Sequence, residues 1–229
     1  MFRRSSVGHE LMKILPKMKE IADPVSTVST YLLLSQAGKQ TPWHVDFTGT
    51  AVFYHVLVGE KHWWVLPPSK DSHEGLQLYN SHNPLSNHAF LPDLPALKKI
   101  PALHFVVKAG ESVFLPPMWP HFVYTAKDSV VFGSNFLAGS GLSWVAKAYT
   151  TEMVNKVPPL EMFPAIEITV LVMTHIFRRT QTTGVLGETP EGWNALERAV
   201  LRHGRKILTP RVIASIKKFI HDFTISSSY

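Results

Sequence analysis

Up to about residue 137 the apolar positions come in short runs rich in Val, Thr and aromatic residues, broken by turn formers; beyond about 141 they recur at a helical period. "STVSTYLLLSQ" (26–36) reads as a strand closed by the turn "AGKQ". "TAVFYHVLV" (50–58) and "KHWWVLPP" (61–68), joined at Gly59-Glu60, read as a hairpin. Residues 69–101, rich in Ser, Asn, His and Pro, read as a long, mostly irregular excursion. Strands resume at "LHFVV" (103–107), "SVFLP" (112–116) and "SVVFGSNF" (129–136).

Residues 9–21 have a helical period interrupted by Pro16. Leu142, Val145, Ala146, Tyr149 and Met153 fall on one helical stripe. Thr189-Pro190 and Thr209-Pro210 each resemble an N-cap followed by proline at the first helical position, and the last of these helices would align Val212, Ile213, Ile216, Phe219, Ile220 and Phe223. The expected organisation is an N-terminal helical segment (1–25), a β-rich core (26–140) and a C-terminal helical region (141–229). The helices should pack on the core, because apolar stripes need cover.

With 229 residues, 45% of them hydrophobic, the chain can build one sizeable core, and 17% charge is too little for a disordered chain. A net charge of +6 suits an acidic neighbourhood such as chromatin, although many ordinary enzymes share it. The absence of cysteine excludes disulfides, thiolate zinc sites and a cysteine nucleophile, so any metal must rest on carboxylates and the 12 histidines. The N-terminus lacks the apolar core of a signal peptide. The most apolar segment (165–177) is too short for a bilayer and carries Glu167 and His175, so no membrane span is expected.

One pair changes the picture. In "TPWHVDFTGT" (41–50), His44 and Asp46 stand two apart, and on a strand such residues share a face. Chance alone gives roughly 0.3 His-x-Asp pairs in a chain of this composition, so the pair needs context. The context is His121, which follows a strand and a Pro-rich turn in "GESVFLPPMWPHFVYT" (110–125). Two imidazoles and a carboxylate form the facial triad that suits non-haem Fe(II) and leaves positions open for cosubstrates. An enzyme of that kind also needs a cation for the far carboxylate of 2-oxoglutarate. Lys61 stands where it could point into a barrel; the plainer reading is a snorkelling surface lysine beside a turn. Thr41 and Tyr54 place hydroxyls on the flanking segments.

"TPWHVDFTGTAVFYHVLVGEKHWWVLPPS" and "KAGESVFLPPMWPHFVYTAKDSVVFGSNFLAG" resemble the catalytic core of the JmjC family of Fe(II)/2-oxoglutarate oxygenases. The similarity is closest to the histone lysine demethylases that carry F-box or PHD-finger modules, and it covers roughly residues 27 to 155. It implies a mainly β fold with α, a double-stranded β-helix (jelly-roll, cupin-like) core followed by a helical region. It implies Fe(II) on His44, Asp46 and His121, with 2-oxoglutarate and O₂ as cosubstrates. Lys61 and Thr41 match residues that hold the far carboxylate of 2-oxoglutarate, Tyr54 a tyrosine lining the pocket, and Asn135 an asparagine near the substrate. The implied reaction removes methyl groups from lysine on the histone H3 tail, in the nucleus. Mono- and dimethyl-lysine nearest the globular core is the expected target.

There are departures. Related sequences read Pro-x-Gly-Trp-x-His before the last ligand, where this chain has Met118 and Pro120, and Thr48 also replaces a glycine. A glycine there matters if the turn needs positive φ. Related proteins have further strands upstream, so a fragment or an incomplete barrel is one expectation. A silent chromatin-binding domain and a protein hydroxylase with the same cofactors stay open as alternatives. Elsewhere the plainer readings are preferred. His55, His62, His73, His82, His88 and His104 should be surface or hydrogen-bonded groups, and Trp63-Trp64 one core and one outward aromatic. The basic runs 98–99, 177–179 and 217–218 could touch DNA phosphate but read first as solvated faces. Oligomeric state is not legible.

Overall fold

The computed structural model describes residues 30–81, 100–138, 141–158, 162, 166–167, 170, 190–203 and 214. The chain divides into two compact units, residues 30–138 and a second made of 1–29 with 139–229. The expected helix at 9–21, residues 26–29, the apolar stripe between 212 and 223 and all three basic runs fall outside the described residues.

The first unit is built from β1 (Tyr31–Ser35), β2 (Gln40–His44), β3 (Ala51–Val65), β4 (Leu103–Lys108), β5 (Ser112–Leu115) and β6 (His121–Phe136). Every pairing is antiparallel. The long strands β3 and β6 run together as one ribbon whose two halves take different neighbours. The first half of β3 pairs with β5 and the second with β4. The start of β6 pairs with β2 and its later part with β1. Two four-stranded layers result, β1-β6-β3-β5 and β2-β6-β3-β4, sharing the ribbon. Their inner faces meet in one core, where Val52, Tyr54 and Val56 join Trp63, Val65, Val107, Leu115, Val123 and Val131. This is the expected jelly-roll, mainly β with helices following it.

The expected hairpin at Gly59-Glu60 is corrected: residues 51–65 form one strand. From Val52 on, the buried positions before Gly59 are 52, 54 and 56; after it they are 61, 63 and 65. The inward parity reverses across an irregular stretch, where the register against β6 shifts three times between Val56 and Lys61. Gly59 lies at φ +94°, and a Cβ there would overlap the backbone of Asp128 and the Ser129 side chain. Only glycine fits the bend without strain.

The excursion is corrected at its start, where α1 (Lys70–Ser81) forms. Ser69 and Ser72 cap it reciprocally. The Ser72 N–H donates to Ser69 Oγ (3.0 Å) and the Ser69 N–H to Ser72 Oγ (2.9 Å), a capping box with serine in place of glutamate. Leu76 of α1 packs with Trp43 and Leu66 in a second cluster that includes Trp64 and Phe122. Trp63 is thus in the main core, as expected, while Trp64 lies on the opposite face, half-buried against this second cluster rather than outward.

In the second unit, α2 (Leu142–Val154) and α3 (Pro190–His203) pack against each other. Leu142, Val145, Ala146 and Tyr149 are buried, which matches the stripe, and α3 begins at Pro190 as its sequence signal indicates. No helix among the described residues is long and apolar enough to cross a membrane.

Candidate metal centre

β2 and β6 are neighbours, and their register sets His44 opposite His121. Two imidazoles distant in sequence therefore meet, with ring centroids 4.1 Å apart. Asp46 is not on the strand, which ends at His44. It is the extended residue (φ −60°, ψ 149°) before the tight turn Phe47–Gly49, and its carboxylate does not cap that turn. The shared-face argument for the pair is corrected: the turn, not strand alternation, aims the carboxylate. One ligand-capable atom from each of His44, Asp46 and His121 lies within 4.8 Å of the other two, the one such group found among the described residues.

The hydrogen bonds fix which imidazole nitrogens are free. His44 Nδ1 lies 2.8 Å from the Pro42 carbonyl and His121 Nδ1 lies 2.9 Å from the Trp119 carbonyl. A carbonyl oxygen only accepts, so both Nδ1 atoms carry the proton and both Nε2 lone pairs are available. Metal-ligating histidines are oriented in this way, by a bond from the second nitrogen. His121 is also held flat, stacked on Trp63 (5.4 Å, 23°), which in turn stacks on Phe105 (6.1 Å, 7°).

Burial, reinforced by His44, lowers the His121 pKa from 6.5 to about 4, against the opposing pull of Asp46 and the Trp119 carbonyl. The ring is neutral at physiological pH, the form a metal requires. In the unfolded chain it titrates normally. Between about pH 6.5 and about 4 the unfolded state holds more protons, so stability falls as pH falls through that window. At about 1.4 kcal/mol per pH unit, the metal-free protein is expected to lose about 3 kcal/mol between pH 7 and pH 4 that a His121→Gln variant does not lose. Urea unfolding of both proteins at the two pH values measures the difference.

Lys61 is 2% exposed and points inward with Trp63 and Val65. Its Nζ donates to Thr125 Oγ1 at 2.7 Å, and desolvation lowers its pKa. Among the described residues no carboxylate lies within ion-pair distance of it. A buried ammonium with only a hydroxyl partner carries an uncompensated desolvation cost that an anion would offset. The snorkelling reading of Lys61 is overturned. Thr41 stands opposite Val123 in the β2–β6 register, on the side facing the core, but is itself exposed.

Tyr54 is buried, edge-on to Trp63 (5.0 Å), and desolvation pushes its hydroxyl up to about 12, so it acts as a neutral donor. Asn135 is buried, accepts from the Tyr31 hydroxyl (2.7 Å) and donates to Thr50 Oγ1 (3.1 Å). Thr50 Oγ1 donates to the Phe47 carbonyl (3.0 Å). This chain links β1 and β6 to the turn that aims Asp46. Tyr31, absent from the sequence reading, is held protonated by burial first and by the nearby Asp46 and Tyr54 second. Its ring lies over Gly133, where a Cβ would overlap it. Gly133→Ala is expected to displace Tyr31 and cost about 1–3 kcal/mol, read by denaturant unfolding.

The two departures that replace glycine show what the glycines would do. Thr48 lies at φ 52° and Met118 at φ 65°. The other histidines named in the sequence and described here are hydrogen-bonded or stacked. His55 bonds Ser112, His62 bonds Glu60, His73 bonds the Met118 carbonyl and His104 stacks on Trp64. His82 and His88 lie outside the described residues.

The family model described as "JmjC domain, hydroxylase" matches residues 31–136, from the first residue of β1 to the last of β6. This stretch belongs to the JmjC family. Beyond it the JmjC domain has named relatives. Lysine-specific demethylase 7A of Danio rerio is 36% identical over 146 residues, 63% of this chain and 16% of that protein. JmjC domain-containing histone demethylation protein 1 of Debaryomyces hansenii is 33% identical over 171 residues, 71% of this chain and 32% of that protein. Lysine-specific demethylase 2A of Xenopus tropicalis is 34% identical over 139 residues, 60% of this chain and 12% of that protein. The chain spans less than a third of the length of each.

Proposed function

We propose that the JmjC domain is an Fe(II)- and 2-oxoglutarate-dependent dioxygenase that demethylates lysine on the histone H3 tail, acting in chromatin regulation in the nucleus. The observation that carries the reading is the convergence of His44, Asp46 and His121, with both imidazoles presenting Nε2. This donor set fits Fe(II). His44 Nε2, His121 Nε2 and the Asp46 carboxylate would hold the ion, which supplies the activation of O₂ that oxidises a C–H bond.

The chain's own residues do the positioning. The Lys61 ammonium takes the far carboxylate of 2-oxoglutarate with the Thr41 hydroxyl beside it, and Thr125 steadies the ammonium. Trp63 and Phe105 keep His121 from turning and exclude water behind it. Tyr54 and Asn135 form the wall toward the methylated lysine. Hydroxylation of an N-methyl carbon gives a hemiaminal, which releases formaldehyde and leaves one methyl fewer. The relatives named as lysine demethylases support this substrate class; mono- and dimethyl-lysine nearest the globular core of H3 is the target within it.

The test is incubation of the iron-loaded protein with 2-oxoglutarate and methylated H3 peptides. Succinate and formaldehyde should appear in equal amounts, with a peptide one methylene lighter. If none of the peptides drives 2-oxoglutarate turnover, the demethylase reading fails and a binding module takes its place. Hydroxylation of another protein is the second reading, favoured by the hydroxylase in the family description. A product one oxygen heavier without formaldehyde would select it.

A further inference from the structure

The turn that delivers His121 holds a strained residue and a bond that offsets it. Met118 is buried at φ 65°, in the left-handed region that costs a residue with a Cβ about 1–2 kcal/mol. Such strain persists only where the surroundings impose it. Three consecutive carbonyls of the turn are each engaged by a different element. The Met118 carbonyl accepts from His73 Nε2 (2.9 Å), the Trp119 carbonyl from His121 Nδ1 (2.9 Å), and the Pro120 carbonyl from the Leu66 N–H (2.9 Å). The first comes from α1, the second from the site itself, the third from the residue that follows β3.

His73 is mounted rigidly. It lies in the first turn of α1, its N–H donates to the Ser69 carbonyl (3.2 Å), and the Ser69–Ser72 box fixes that helix end. Leu76, three residues on, anchors α1 against Trp43 and Leu66. The donor therefore has a fixed origin from which to hold the Met118 peptide. Were that peptide to relax toward ordinary φ, the next carbonyl along the chain would swing, and that carbonyl is the one that sets the His121 ring.

We propose that His73 is a positioning residue for the metal centre, holding Met118 in its left-handed conformation so that the Trp119 carbonyl orients His121 Nε2. The inference rests on the metal-site reading above. It also assigns a role to α1, which that reading does not use.

The experiment uses the full chain and cobalt(II) alone as the probe, with affinity read from the visible d–d bands. Glutamine can place an N–H where Nε2 stands, and leucine cannot. His73→Leu is expected to weaken cobalt binding about tenfold, the lower end for groups that orient ligands, while His73→Gln stays within about threefold of the parent. In the Met118→Gly background the strain is gone, and His73→Leu should then cost less than about threefold, a coupling read from the double-mutant cycle. A second readout needs no metal: amide exchange at Leu66, whose N–H bonds the Pro120 carbonyl, should quicken about tenfold in His73→Leu, as expected for a local opening. Unchanged cobalt affinity in His73→Leu, equal losses for Leu and Gln, or an undiminished loss in the Met118→Gly background would each overturn the proposal. Should His73→Leu not fold, His73→Gln against the parent and the Met118→Gly/His73→Leu double variant against Met118→Gly decide it. If the parent takes up no cobalt, the metal-site reading falls and this inference with it; retained binding without the pattern above overturns this inference alone.

Discussion

His121→Ala is expected to abolish both metal retention and turnover while leaving a folded protein. The imidazole supplies one of three donors that converge within 4.8 Å, and its ring is fixed on two sides, by the Trp119 carbonyl and by Trp63. Loss of a bond that only orients a ligand costs 10- to 100-fold in metal affinity, so loss of the ligand itself should exceed about 100-fold. The fold should survive, because Val65, Val123 and Trp63 keep their other core packing, Trp63 against Phe105 and Tyr54 included. Removing it opens a cavity worth about 2–4 kcal/mol, a Tm loss rather than unfolding. Metal content after dialysis against Fe(II) measures the first effect and thermal unfolding the second. Full metal occupancy in the variant would remove His121 from the site.

Lys61→Met is expected to move function and stability in opposite directions. Methionine matches the length of the stem and removes the charge. Without the ammonium the 2-oxoglutarate requirement should rise roughly 10- to 100-fold, the worth of one charge-assisted bond, with metal retention unchanged. The metal-free protein should melt higher than the parent, because a buried ammonium bonded only to Thr125 costs more than a thioether in the same place. The pH dependence follows the same logic. Desolvation lowers the folded-state pKa below the ordinary lysine value of 10.5. Between the two values the unfolded chain holds the extra proton, so the parent gains stability as pH rises through that window, and the variant does not. Anion affinity in the parent falls over the same window as the ammonium is lost. Titrations of 2-oxoglutarate and melting curves on both proteins give the two signs; a variant that melts lower and binds as tightly would place Lys61 outside the anion site.

The clustering of His44, Asp46 and His121 is legible because its spacing sits within longer specific strings, and Trp63-Trp64 because alternation alone assigns adjacent residues to opposite faces. What alternation could not show is where it changes phase. Gly59-Glu60 carries a turn's composition, and a bulge needs glycine for the same conformational reason that a turn does, so the two look alike in sequence. Strand spacing points Asp46 to a shared face with His44, whereas a tight turn sets it. The start of α1 lacked an apolar period, and only the serine box marks it. In "YLLLS" the hydrophobic pattern misleads outright. Leu32 and Leu34 are 62% and 78% exposed, whereas Tyr31 faces Asn135. Tyr31 could be found only through Gly133, a strand glycine that makes room for a ring.

The parity reversal at Gly59 has a consequence for how the cavity tolerates change. Tyr54 and Lys61 lie an odd number of positions apart and line one interior only because the register shifts between Val56 and Lys61. Deleting one residue between Val56 and Lys61 would turn lysine, tryptophan and valine outward together, presenting histidine and tryptophan neighbours in their place. The pocket's frame is thus held by a count rather than by any one side chain, and length variation in this strand is far more dangerous than substitution.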